Sequence, residues 1–137
     1  MYKSLFHKFV IGNNTLQVYK GDKLIFQSDK DRLLPLIDYI DEFAARNRNV
    51  VMFDKIAGRA AALLFIKANC REVYSPLGSQ LAADVLSKRG AKYYFDRIVP
   101  CIQTPEGKMC PMELLSIGKE PEEFYRAIKN LLDENPR

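Results

Sequence analysis

Asp54, Lys55, Gly58 and Arg59 form the densest group of chemically capable residues in the chain. They precede the apolar run Ala60-Ala61-Ala62-Leu63-Leu64-Phe65-Ile66, which predicts a helix beginning near Ala57 or Gly58 and closed by Asn69. A helix start presents free backbone N–H groups and partial positive charge, which suits an anion such as phosphate. Gly58 removes a side chain where a ligand would approach the backbone, and Lys55 and Arg59 add cationic donors. Asp54 is a candidate catalytic residue, as general base or carboxylate nucleophile, provided it faces the same cleft. The same four residues also have a structural reading. Asp54 would then be an N-cap, Gly58 a packing glycine, and the two basic side chains solvated.

A second group lies at Ser75-Pro76-Leu77-Gly78-Ser79-Gln80, leading into a helix with Leu81, Val85 and Leu86 on one face. Ser75, Gly78, Ser79 and Gln80 are candidate ligand contacts that would complete a pocket from the adjacent strand. Ser79 also suits a plain N-cap. Two helix starts side by side would make a cleft for a mononucleotide or ADP-ribose-like ligand, with phosphates at the helix N-termini. Neither start has a Walker or GxGxxG glycine pattern, so no cofactor is expected. Cys110 precedes Pro111 at a predicted helix start, where the dipole would favour a thiolate, but the chain's one histidine, His7, is remote in sequence. Cys70 and Cys101 read as small packed residues, and no CxxC spacing offers a metal site. Tyr74, Tyr93, Tyr94 and Phe95 would stack on a base or, more simply, fill a core.

The elements that would position these groups follow from apolar spacing. Leu16-Gln17-Val18-Tyr19 and Leu24-Ile25-Phe26-Gln27 flank a Gly-Asp turn and predict a β-hairpin. Leu33, Ile37, Ile40 and Ala44 mark one face of a helix over 33–45, with Pro35 in its first turn. Val50-Val51-Met52-Phe53, Glu72-Val73-Tyr74-Ser75 and Lys92 to Val99 predict strands, separated by the two helices already described. Gly90 stops the second of these helices in a left-handed turn. Pro111 opens a short helix, Met112 to Ile117, and Pro121 a final one with Phe124, Ile128, Leu131 and Leu132 inward. Strands alternating with helices indicate an α/β sheet covered on its faces by helices.

The 137 residues suffice for a single domain over 1–137, with no linker, repeat or low-complexity tract. A hydrophobic fraction of 47% excludes a disordered chain, and no apolar run is long enough to span a membrane. Met1 to Val10 lacks the apolar core and cleavage site of a signal peptide. The net charge of +4 comes from interspersed residues, which argues against a nucleic-acid partner. Three unpaired cysteines predict reduced thiols and a cytoplasmic location. Oligomeric state is open, a homo-oligomer included.

The stretch from Asp54 to Val99 resembles the core of the cytidine-deaminase-like superfamily. There a His or Cys, then Ala and Glu, opens one helix, and Pro-Cys-x-x-Cys opens the next, together holding a catalytic zinc. The corresponding segments here are Ile56-Ala57-Gly58-Arg59 and Ser75-Pro76-Leu77-Gly78-Ser79-Gln80. Ile56, Leu77 and Gln80 stand at the ligand positions and Gly58 at the proton-shuttling glutamate, so zinc-dependent deamination is not expected. The whole chain is more similar to an uncharacterised prokaryotic family of unknown function placed in that superfamily. Asp54 to Ala62, Glu72 to Pro76, Val99-Pro100 and Cys110-Pro111-Met112-Glu113 carry that similarity. The resemblance implies a three-layer α/β/α domain with a cytidine-deaminase-like mixed sheet of about five strands and no metal. The family carries no assigned activity; the two helix starts, at the position of the deaminase pocket, point to a zinc-free pocket for a nucleotide or ADP-ribose-like ligand. A metal-independent enzyme using Asp54 and a non-catalytic interaction module are the alternatives.

Overall fold

The sheet is organised about its longest strand, and the elements are defined in a computed structural model that describes residues 2–134. Helix α1 (Tyr2–Ile11) leads into the hairpin β1 (Leu16–Lys20) and β2 (Lys23–Ser28). Helix α2 (Leu34–Tyr39) continues as a π-helical turn over Ile40–Ala44. Then come β3 (Val50–Asp54), β4 (Ile56–Ala57), α3 (Arg59–Lys67), β5 (Cys70–Ser79), α4 (Gln80–Lys88) and β6 (Lys92–Val99). Helices α5 (Pro111–Ser116) and α6 (Pro121–Glu134) complete the fold.

The six strands form one mixed sheet. β1 pairs antiparallel with β2 and with β3, whereas β5 pairs parallel with β3 and β4 and, on its other side, with β6. The expected row of five strands becomes six because one row is split. Pairing of β3 with β5 ends at Phe53–Tyr74 and resumes in β4 at Ile56–Leu77. Asp54-Lys55 on one side and Ser75-Pro76 on the other are left out of register. Pro76 has no N–H to donate, and a gap in the ladder is where a central strand tolerates it.

Alternation along the strands sends side chains to two cores. Leu16, Val18, Val50, Met52 and Val73 face the larger core, which they form with α2, α3, α4 and α6. In α3, Ala60 through Phe65 are all buried, as a helix apolar nearly all round requires. Tyr19, Val51 and Phe53 face the other way, onto Tyr2 and Phe9 of α1, with Tyr74 packed against them. Helices thus lie on both sides of the sheet. Helix α1 was not anticipated, although Tyr2, Leu5, Phe6, Phe9 and Val10 have helical i, i+3, i+4, i+7, i+8 spacing.

The predicted helix over 33–45 keeps its apolar face but changes pitch. Ile37, Ile40 and Ala44 are buried, and the turn widens where the stacked rings of Tyr39 and Phe43 both meet Phe26. Strand β5 runs through Pro76-Leu77-Gly78-Ser79, residues expected to lead into a helix, because β6 pairs with it as far as Ser79–Val99. Asn69 and Gly90 end α3 and α4 as expected, Gly90 in the left-handed conformation that was anticipated and Asn69 with positive φ as well. Leu131, expected inward, is 37% exposed.

Gly78 is fixed by packing rather than by backbone freedom. A Cβ there would run into the ring of Phe95 on the neighbouring strand. Gly78→Ala should therefore force the Phe95 ring aside and destabilise the domain by about 1–3 kcal/mol. Chemical denaturation checks this, and Phe95→Leu should recover part of the loss in the double variant.

Candidate functional site

Pairing of β4 with β5 brings the two candidate segments together. Ile56 lies beside Leu77 and Ala57 beside Gly78, so the residues before α3 and those before α4 are cross-strand neighbours. Both helices then leave on the side of the larger core.

Asp54 ends β3, directly across from Leu16 of β1. It is not the N-cap of α3; Gly58 holds that position in extended conformation. The Asp54 side chain is buried, and desolvation pushes its pKa up to about 8 against the opposing effect of the backbone N–H groups of Ile56 and Lys55. A carboxyl near neutral pKa can be protonated or ionised under ordinary conditions, as general acids and bases require.

The two basic neighbours are engaged elsewhere. The Lys55 ammonium donates to the Gly12 carbonyl at 2.8 Å and lies 5.0 Å from the centre of the Phe9 ring, fastening the end of α1 to the sheet. The Arg59 guanidinium donates to the carbonyls of Ser116 and Lys119, at the end of α5 and just beyond. Neither is a freely solvated surface charge.

Glu113, a residue that sequence reasoning placed in a family segment but not in the site, fills the space beside Gly58. It is 2% exposed. Its Oε1 accepts from the Ala60 N–H at 3.1 Å, within the first turn of α3, and Oε2 accepts from the Ile102 N–H at 3.4 Å. A Cβ on Gly58 would lie 2.6 Å from Glu113 Oε1 and 2.9 Å from Ile102 Cγ1. The positive end of α3 is thus met by a carboxylate of the chain itself. The available signal was an acidic residue in the first turn after Pro111, but its partner 53 residues away has no local trace.

The second segment has its own internal bonds. Ser75 Oγ donates to the Leu77 carbonyl and accepts from the Leu77 N–H, bridging the gap around Pro76. Ser79 Oγ accepts from the Ala82 N–H at 3.0 Å and caps α4. Gln80 is exposed and donates to Asp84 Oδ1. Gly78 lies under Phe95, as described above.

The remaining candidates are dispersed. His7 is exposed on α1, Cys110 sits at the start of α5 without a side-chain cap bond, and the Cys70 thiol is pushed up to about 12, chiefly by burial. Ile56, Gly58, Leu77 and Gln80 do not fit a zinc ion. Among the described residues, no three His, Cys, Asp or Glu side chains group closely enough to hold a metal. No helix among them is long and apolar enough to cross a membrane.

These features define an α/β domain with a mixed six-stranded sheet, helices on both sides, and a buried carboxyl beside a break in its central ladder. The chain belongs to the TM1506 family, a domain of unknown function (DUF1893), which it matches over residues 4–132. It is similar to the crystal structure of a DUF1893 family protein (TM1506) from Thermotoga maritima at 2.70 Å resolution. The TM-score is 0.80 at 26% identity, over 93% of this chain and 85% of that one. No curated protein matches the chain.

The burial of Asp54 predicts a pH signature. Its folded pKa of about 8 lies above the ordinary aspartate value of 3.8, so the folded state holds the proton more tightly than the unfolded state. Any stability from this group is full below the unfolded pKa and lost as pH rises through the folded one. Asp54→Asn should therefore gain stability relative to the native protein progressively between these two pH values and level off above. Thermal unfolding of both proteins across that range measures the difference; a gap that shrinks with rising pH would contradict the assignment.

Proposed function

We propose that this domain is a zinc-free relative of the cytidine-deaminase-like fold that binds a nucleotide or ADP-ribose-like ligand where β3 gives way to β4. The observation that carries the reading is Asp54: a buried carboxyl of near-neutral pKa, at the C-terminal end of a strand in parallel pairing. Ligands of α/β sheets collect at such strand ends. The cross-strand pairs Ile56–Leu77 and Ala57–Gly78 support the superfamily resemblance, since the two segments that deaminases use for zinc adjoin here as well.

In this reading the protonated Asp54 donates a hydrogen bond to a carbonyl, ring nitrogen or hydroxyl of the ligand. Ser75, Gly78, Ser79 and Gln80 form the β5–α4 side. On the β4–α3 side Gly58 is closed by Glu113, and Lys55 and Arg59, expected as ligand contacts, stay with their carbonyl partners and act on the ligand only through their charge. The ligand's anionic groups are assigned to the start of α4, where Gln80 is exposed, because Glu113 already meets the start of α3.

The raised pKa of Asp54 also favours a second reading, a metal-independent enzyme. Its carboxylate would take a proton from the ligand, or attack an electrophilic carbon of the ligand to form an ester bond while the bond from that carbon to its leaving group breaks and that group departs with the electron pair.

Calorimetric titration of the full chain with ADP-ribose, AMP and cytidine tests the binding reading. At least one should bind, and Asp54→Ala should weaken it roughly tenfold or more, the worth of a hydrogen bond to an ionisable group. Mass spectrometry of the purified protein adds a second readout. Copurified nucleotide released on denaturation supports binding, whereas an adduct that survives denaturation and is absent from Asp54→Ala supports the nucleophile. Failure of all three compounds, with no copurified ligand, overturns both readings.

A further inference from the structure

The two faces of the sheet are covered unequally. Helices α2, α3, α4 and α6 close the larger core, whereas on the other face α1 packs over Tyr19, Val51, Phe53 and Tyr74 of β1, β3 and β5. Between α1 and β6 this leaves a groove of about 590 Å³. Phe6 and Val10 give it an apolar wall, Lys3, His7 and Lys8 line it along the helix, and Asp96 lines it from the strand.

The rings beside this groove form a series that ends in solvent. Phe53 packs on Tyr74 with ring centres 5.4 Å apart, and Tyr74 stacks on Tyr94 at 4.6 Å. Phe6, in the groove wall, lies 5.6 Å from Tyr74. Tyr94 has no further ring against it among the described residues and is 47% exposed. A ring held from one side and open on the other is a platform for a planar group.

Charges dispersed in the sequence are gathered here by the helix. Lys3, His7 and Lys8 are all exposed, and neither lysine has an ion-pair partner among the described residues. Lys3 and Lys8 are separated by about 7.5 Å along the helix axis. Cations strung along a groove suit a row of phosphates better than a single one. Asp96 repels phosphate from the strand side and accepts hydrogen bonds from amino groups and sugar hydroxyls. Phosphates are thereby directed to α1 and bases to β6.

We propose that the groove between α1 and β6 binds single-stranded nucleic acid, with phosphates on Lys3, His7 and Lys8 and an unpaired base stacked on Tyr94. A duplex keeps its base faces buried against one another and has none to offer this ring. The groove lies across the sheet from Asp54, which turns toward the larger core, so it does not depend on the ligand reading given above.

Fluorescence anisotropy of a labelled ten-nucleotide RNA of mixed sequence, titrated with the full chain at low salt, tests the proposal. The single strand should bind, and its affinity should fall as salt rises. In Lys3→Ala/Lys8→Ala the slope of log affinity against log salt should flatten by about 1.4, the share of two phosphate contacts. Tyr94→Ala should weaken binding about tenfold, whereas Tyr94→Phe, which keeps the ring, and Asp54→Ala should leave it unchanged. Circular dichroism should be the same for all four variants. No binding at low salt, native affinity in Tyr94→Ala, or an unaltered salt slope in the lysine variant each overturns the proposal. So does a duplex or free AMP that competes as well as the strand, or binding of anionic lipid vesicles but not of RNA. Binding lost in Asp54→Ala but kept in Tyr94→Ala moves the ligand to the other face and overturns it equally.

Discussion

Helices α3 and α5 hold each other by opposite charges at opposite ends. Glu113, in the first turn of α5, directs its carboxylate to an N-terminal amide of α3, while Arg59, the first residue of α3, directs its guanidinium to a carbonyl at the end of α5. Each side chain meets the backbone partial charge that suits it, and each satisfies groups that a helix end leaves without partners. The consequences reach well beyond the two helices. Gly58 has no room for a side chain because the carboxylate occupies that space, and Ile102 is held at the same point. The segment between β6 and α5, which holds an isolated bridge between Gln103 and Met109 and no named strand, is anchored to the domain there. The Ser116 hydroxyl adds a bond to the Glu113 carbonyl that stiffens the short helix.

The same interaction governs the chemistry open to the site. A bare helix start would attract phosphate; one closed by a buried carboxylate does not present that charge to a ligand. Buried polar groups gather instead at the neighbouring break between β3 and β4, where Ser75 Oγ bonds the Leu77 backbone on the far side of Pro76 and Asp54 accepts from the backbone. A regular ladder there would leave no backbone N–H free to meet a carboxyl. The interruption therefore creates the place in which an acid can be buried and still be hydrogen-bonded.

Sequence periodicity made most of the helices and strands legible, because each element buries one face and its apolar residues recur with the period of that face. The hairpin around Gly21, the stops at Asn69 and Gly90, and α6 beginning at Pro121 follow from local chemistry alone. The extension of β5 through Pro76 was not legible, since proline and glycine mark a loop unless the pairing partner is known. Nor was the role of Glu113, Lys55 or Arg59. Each bonds backbone groups between 43 and 60 residues away, and such contacts depend on topology rather than on neighbouring residue types. In the sequence Gly58 reads either as an opening for a ligand or as a packing glycine, and Gly78 as a ligand contact. In the structure each is small because a particular side chain, Glu113 or Phe95, lies against it.

The placement of charge around Asp54 explains why its pKa moves up rather than down. An aspartate beside a lysine in sequence invites the expectation of an ion pair, which would hold the carboxyl below its usual range. Successive residues near a strand end point to opposite faces, however, and here the two side chains part company. Lys55 goes to Gly12 and the Phe9 ring on the α1 side, while Asp54 turns toward the larger core with Leu16 across from it. Arg59, the first residue of α3, is committed to α5. Burial is then the dominant influence on Asp54, and the two backbone N–H groups offset it only in part. The rise to about 8 thus follows from where the cations were sent, because neither is left beside the carboxyl to favour its ionised form.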